Sequence, residues 1–245
     1  MPIIYLSPST QENNYYVTGG TEEYYMNRLA DAMVPYLVSC GIRYVRNSPD
    51  MTAGDAIRQA NAGEYDFYLA LHSNAAGAGN YGNVRGILAF YYPFSANGKR
   101  AAELFAAGLR KIYPLPSAVA IRPTTTLGEV ARSRFPAVLL EIGYHDNYED
   151  AVWIETHLTE IAQNLVQSLT EYFSLPFIWP MDPVDGRVQI GSGTLNLRDR
   201  PSQEGAVIAS MPGGAAVRIY GQWQGWYVVH YGDYVGYAAA EFIRR

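Results

Sequence analysis

The sequence predicts an α/β domain built on a mainly parallel, twisted sheet flanked by helices, followed by a small all-β barrel. Two observations carry this reading. Short apolar runs alternate with helix-patterned stretches as far as Phe173, and beyond it the pattern changes to brief strands with close-set turns. At 245 residues and 49% hydrophobic content, the chain can fill one medium core and one smaller core.

The strands are read from continuous rather than alternating apolar runs, which suit strands covered on both faces. They are IIYL at 3–6, IRYV at 42–45, DFYLAL at 66–71, GILAFYY at 86–92 and PAVLLE at 136–141. Helices fill the intervals. TEEYYMNRLADAMVPYLVSCG reads as a helix capped by Thr21, stopped by Gly41 and kinked at Pro35. Further helices are expected at 53–62, 95–112 and 150–173, the last with Leu158, Ile161, Leu165 and Leu169 on one face. SLPFIWPMDPVDG then holds three prolines, so a linker is expected at 176–186, between a first domain at 1–175 and a second at 187–245. GTLNLRDRPS, AVIASMPGGAAVRIYGQ and GWYVVHYGDYVGYAAAEFI supply the strands and turns of the barrel.

A net charge of −5 without a Lys/Arg stripe excludes a nucleic-acid partner. Cys40 is the single cysteine and has no partner for an internal disulfide. MPIIYLSPS lacks a basic start and an apolar h-region, and no later run approaches the roughly 18 apolar residues of a membrane span.

Two strand ends carry chemistry. DFYLALHSNA places His72 where an apolar strand gives way to a polar loop, and LLEIGYHDN does the same for Glu141. Carboxyl ends of parallel strands line the ligand crevice, so both side chains are expected at one site; the plainer alternative is a loop hydrogen bond for His72 and a turn cap for Glu141. At about 100° per residue, Glu22, Met26, Leu29 and Met33 fall on one helical stripe, which aims Glu22 inward and leaves Glu23 at the edge. A carboxylate on an apolar stripe needs a cation or hydrogen-bond donors. One carboxylate and one or two imidazoles would make a zinc site, with a further carboxylate left as general base, although no compact metal motif such as HExxH is present.

At Glu22 with the NRLAD helix, at LHSNA and at PAVLLEIGY, residues 1–175 resemble the zinc-dependent N-acetylmuramoyl-L-alanine amidases, which have the α/β phosphorylase/hydrolase-like fold. These enzymes cut the amide between N-acetylmuramic acid and L-alanine of the peptidoglycan stem peptide. The resemblance implies Zn2+ as cofactor, Glu22 and His72 as zinc ligands, and Glu141 as the catalytic carboxylate. Peptidoglycan would be the substrate. The protein would act outside the cell or in the wall, after trimming of a signal or release by another route.

One departure stands at the end of the first strand, where the family carries a histidine ligand in a DPGHG-like loop and this chain has SPSTQENN, with Thr10 or Gln11 in that place. Neither is a good zinc ligand. His145 is a candidate for the missing ligand, since Gly143 could turn the loop back over the crevice; HDNYED reads equally as a loop that ends in an Asn147 helix cap. Arg122, Arg132, Asn74 and Gln11 are candidate substrate contacts, the arginines for muropeptide carboxylates. His157 and His230 are expected at the surface or rim. A wall-binding protein with a degenerate site, or a zinc peptidase acting on wall peptides, remain as alternatives.

The tail resembles bacterial SH3-like domains of cell-wall proteins, with LNLRDRPS, the Gly213-Gly214 turn and GWYVVHYGDYVGYAAAEFI as its cues. Asn196 and Arg198 should alternate outward beside Leu195 and Leu197, Trp226 should fill the core, and Gly236 should allow close strand approach. The resemblance implies attachment to peptidoglycan. Tyr220, Trp223, Tyr227, Tyr231 and Tyr234 either form an aromatic binding face or pack the barrel.

Overall fold

The computed structural model describes residues 1–245. Every predicted apolar run becomes a strand of one sheet: β1 (Ile3–Pro8), β2 (Arg43–Arg46), β3 (Phe67–Asn74), β4 (Ile87–Tyr91) and β6 (Ala137–Tyr144). β5 (Val119–Pro123) joins them at the edge, unforeseen because VAIRP is half-exposed and its apolar run stops after three residues. The order is β2-β1-β3-β6-β4-β5. β1 with β3, β3 with β6 and β4 with β5 are parallel, whereas β4 runs antiparallel to β6. The central strands β3 and β6 are buried along nearly their whole length, which is why their sequences do not alternate.

Helix ends follow the capping chemistry of the sequence. α1 (Glu22–Ser39) starts where Thr21 Oγ1 accepts from the Tyr24 amide at 3.2 Å, and it stops in a left-handed turn at Gly41, φ +74°. It runs on through Pro35 as one helix. The break in helical geometry falls instead at His157, inside α5 (Tyr148–Phe173). α2 (Ala53–Ala62) carries a Thr52/Asp55 capping box, α3 (Ala96–Leu109) is capped by Ser95, and α4 (Gly128–Ala131) is one short turn. On α5, Leu158, Ile161, Leu165 and Leu169 are all buried, as their spacing requires. None of the helices is long and apolar enough to cross a membrane.

The chain divides into two compact units, one made of Ile3–Met33 and Tyr44–Tyr172, the other of Met1–Pro2, Val34–Arg43 and Phe173–Arg245. In the second unit, β7 (Val184–Val188), β8 (Thr194–Arg198), β9 (Val207–Pro212), β10 (Ala216–Trp223), β11 (Trp226–Tyr231), β12 (Tyr234–Ala239) and β13 (Ile243–Arg244) form an antiparallel sheet ordered β13-β7-β10-β11-β12-β8-β9. Its core is centred on Leu197, Met211, Ile219 and Val229, with Leu195 beside Leu197, while Asn196 and Arg198 alternate away. Trp226 only flanks this core, and so do Tyr227 and Tyr231. Of the five barrel aromatics, Tyr234 is the exposed one.

The segment expected as a linker holds fast at Ile178, which is buried. The Ser39 hydroxyl donates to its carbonyl at 2.7 Å, and Tyr237 OH donates to the Cys40 carbonyl at 3.0 Å. Val34–Arg43 belongs to the same compact unit as the barrel.

Candidate active site

Neighbouring parallel strands present alternate side chains to a common face. Tyr5 and Ser7 of β1 stand beside Tyr68 and Ala70 of β3, and Tyr68, Ala70 and His72 stand beside Ala137, Leu139 and Glu141 of β6. The lower part of this face is apolar and is covered by Ala56 and Ala60 of α2 and Val130 of α4. Its upper, carboxyl end is polar. There Ser7, His72 and Glu141 line a cavity of about 950 Å³, together with Gln11, Glu129 and Arg132. The α1 stripe of Glu22, Met26, Leu29 and Met33 is buried, which brings the Glu22 carboxylate to the same end.

His72 is the centre of the arrangement. Its Nδ1 lies 2.8 Å from Glu22 Oε1 and its Nε2 lies 2.8 Å from Glu129 Oε2, with all three side chains buried. Glu129 Oε1 in turn accepts from Ser7 Oγ at 2.6 Å and from Tyr68 OH at 2.8 Å. Glu22 Oε2 accepts from Asn14 Nδ2 at 2.6 Å, and Gln11 Nε2 stands 3.5 Å from Glu22 Oε1 and 3.4 Å from His72 Nδ1. Burial works against charge on every member, but the mutual hydrogen bonds and opposite charges prevail. The carboxyls of Glu22 and Glu129 are held below their ordinary range and the His72 imidazole well above its own.

Glu141 has no such partner. Its Oε2 is buried without a hydrogen bond, and burial, helped by the charges of Glu22 and Glu129 against the opposing pull of His72, lifts its carboxyl to about 7. Arg132, an exposed residue, also lines this cavity and forms no ion pair. An unpaired carboxyl poised near neutrality, beside a fixed imidazole and with an arginine on the cavity wall, has the donors and acceptors to activate water and hold an anionic ligand.

Three candidates sit elsewhere. His145 Nδ1 donates to the Ser73 carbonyl at 3.0 Å, its ring stacks on Tyr16, and it does not join Glu22 and His72; no group of three His, Cys, Asp or Glu side chains capable of holding a metal is present. Gly143 does turn the chain, φ +72°, but the turn leads into Asn147, whose Oδ1 caps α5 by accepting from the Glu149 and Asp150 amides. Asn74 Oδ1 is taken by the Ala75 amide, and Arg122 is exposed at the end of β5; neither lines the cleft. The expected zinc-ligand set of Glu22, His72 and His145 is therefore not assembled. Glu129 went unforeseen because α4 is too short to show a period, although TLGEV does place a lone acid between two apolar residues.

These residues do not fit a three-ligand zinc centre. Both His72 nitrogens and both Glu22 oxygens are engaged by protein groups; on the Nδ1 edge that Glu22 occupies the next neighbour, Gln11, offers a carboxamide where zinc takes imidazole, thiolate or carboxylate, and the Glu129 carboxylate lies on the opposite edge, taken up by His72 Nε2, Ser7 and Tyr68.

A mixed α/β sheet with an acid–imidazole cluster at the carboxyl ends of its strands places this domain among α/β proteins that carry their site at that end of the sheet. The chain belongs to the N-acetylmuramoyl-L-alanine amidase family, which residues 9–171 match, and residues 193–244 match the bacterial SH3 domain. It is by that membership an amidase with a C-terminal SH3-type barrel. Among solved structures it is similar to the amidase AmiC2 of Nostoc punctiforme, at TM-score 0.63 and 15% identity over 71% of this chain and 97% of that one. It is also similar to an amidase from Clostridium difficile 630, at 0.61 and 19% over 71% and 97%, and to the catalytic domain of CwlV from Bacillus (Paenibacillus) polymyxa, at 0.61 and 17% over 72% and 100%. Curated protein sequences contain no match.

Proposed function

We propose that the cleft hydrolyses the amide between N-acetylmuramic acid and L-alanine of peptidoglycan, with Glu141 as the proton-transferring group. The single observation that carries this reading is the half-buried Glu141 carboxyl, whose buried Oε2 has no hydrogen-bond partner and which is held at about 7. Ionised, it takes a proton from a water placed at the lactyl carbonyl; protonated, it returns that proton to the departing amine of L-alanine. Arg132 receives a stem-peptide carboxylate by charge-assisted hydrogen bonds. The barrel holds the enzyme on the wall, which raises its effective concentration at an insoluble substrate, and the site of action is the wall or the space outside the cell. Zinc, the cofactor usual in the family, would find Glu22 and the Gln11 carboxamide on the Nδ1 edge of His72, with no group of three His, Cys, Asp or Glu side chains arranged to hold it.

A second reading, wall binding without turnover, is favoured by one observation: the internal pairing of Glu22 with His72. Digestion of purified peptidoglycan by the wild-type chain and by Glu141→Gln separates the two. New L-alanine amino termini released by the wild type alone support the amidase; other new amino termini would indicate a peptidase, and binding with no new termini would leave the degenerate reading.

A further inference from the structure

The structure assigns Glu129 as the positioning residue of His72, so that hydrogen bonds within the protein assemble this site without a metal. The inference rests on the cleft being the reaction centre proposed above. A buried imidazole can turn about its Cβ–Cγ bond unless both nitrogens are held, and a single partner fixes only one edge of the ring. Here Glu22 holds Nδ1 and Glu129 holds Nε2, each at 2.8 Å.

Glu129 is itself immobilised. Its second oxygen takes the Ser7 hydroxyl at 2.6 Å and the Tyr68 hydroxyl at 2.8 Å, and Tyr68 OH also lies 3.1 Å from Ser7 Oγ. Ser7, Tyr68, His72 and Glu129 are all buried, and they come from β1, β3 and α4, so three separate elements meet at the Glu129 carboxylate. On the other edge, Asn14 donates to the free oxygen of Glu22 at 2.6 Å and to Gln11 Oε1 at 3.0 Å, and Gln11 Nε2 donates to Glu22 Oε1 at 3.5 Å. The closed chain Ser7/Tyr68–Glu129–His72–Glu22–Asn14 leaves no ring nitrogen free. Gln11 stands beside Glu22 and His72 where the resemblance expects a third ligand, and it completes a hydrogen-bond network instead of a coordination shell.

The test is nuclear magnetic resonance of the 15N-labelled full-length chain, observing the His72 ring in EDTA and after one equivalent of zinc chloride. A slowly exchanging Nε2–H signal of His72 is expected in EDTA and should be unchanged by zinc. It should survive in Glu129→Gln, whose carboxamide oxygen still accepts, and be lost in Glu129→Leu. Appearance of the ordered ring signal only after zinc addition would overturn the inference, as would its persistence in Glu129→Leu. Should Glu129→Leu fail to fold, the wild-type and Glu129→Gln spectra with and without zinc still decide. The readout does not depend on turnover, so a chain that releases no L-alanine termini can still pass or fail it.

Discussion

A carboxyl group held at about 7 inside a cleft responds to pH in both turnover and stability. Glu141 acts as base only when ionised, so kcat/KM should rise with pH through about 7, and Glu141→Gln should remove that limb and lower kcat by about 10²–10⁴-fold. Stability should move oppositely. The folded value lies above the ordinary 4.5, so the folded state binds the proton more tightly; its contribution is complete below about pH 4.5 and is lost as pH rises through about 7. Replacing the group with neutral Gln should therefore stabilise the protein at pH 8 by up to about 3 kcal/mol and change it little at pH 4.5. Melting curves at the two pH values check this, and an unchanged difference between them would contradict the buried-carboxyl account. His145 makes the contrast. His145→Ala loses the Ser73 hydrogen bond and the Tyr16 stack, a stability cost of about 1 kcal/mol, and should leave kcat unchanged where His72→Ala abolishes it.

At the scale of elements, the turn from β6 into α5 is held by one fully buried side chain. Asp150 accepts from Arg85 Nε at 2.9 Å, the Gly86 amide at 3.1 Å, Tyr113 OH at 2.6 Å and the Tyr144 amide at 3.0 Å. It ties the start of α5 to the end of β6 and to the segment entering β4, and so fixes the strand that carries Glu141. Asp150→Ala should cost about 3–5 kcal/mol, because it leaves two amides and the Tyr113 hydroxyl without an acceptor and Arg85 with Glu149 alone, whereas Asp150→Asn keeps an acceptor and should cost less; chemical denaturation of both variants measures the order. Caps such as Thr21 and Asn147 were legible from sequence because their chemistry is local. α4 and β5 were not, since one turn and one half-exposed edge strand carry no period, and with α4 went Glu129.

For the whole molecule, Val34–Arg43 and the barrel share one compact unit. A chain ending at Phe173 would leave the Ser39 hydroxyl and the Cys40 carbonyl without Ile178 and Tyr237, and it should melt below the full-length chain; equal melting temperatures would show that this unit adds nothing to the first. Tyr237→Phe isolates one bond of that seam and should cost about 1 kcal/mol, or about 2–4 °C in Tm. The sequence by itself determined the elements whose physics is short-range: apolar runs long enough to be covered on both faces, caps, the inward stripe of Glu22, and the two strand ends at His72 and Glu141. Tertiary structure alone decided who meets His72. Glu129 is 57 residues from it along the chain, and the Ser7 and Tyr68 hydroxyls that hold Glu129 are 122 and 61 residues from that carboxylate; hydrogen bonds over such separations depend on strand register and on the docking of α4, which no local pattern encodes. The same holds for His145, which one turn at Gly143 could have sent either way and which the Ser73 carbonyl and the Tyr16 ring keep out of the cleft.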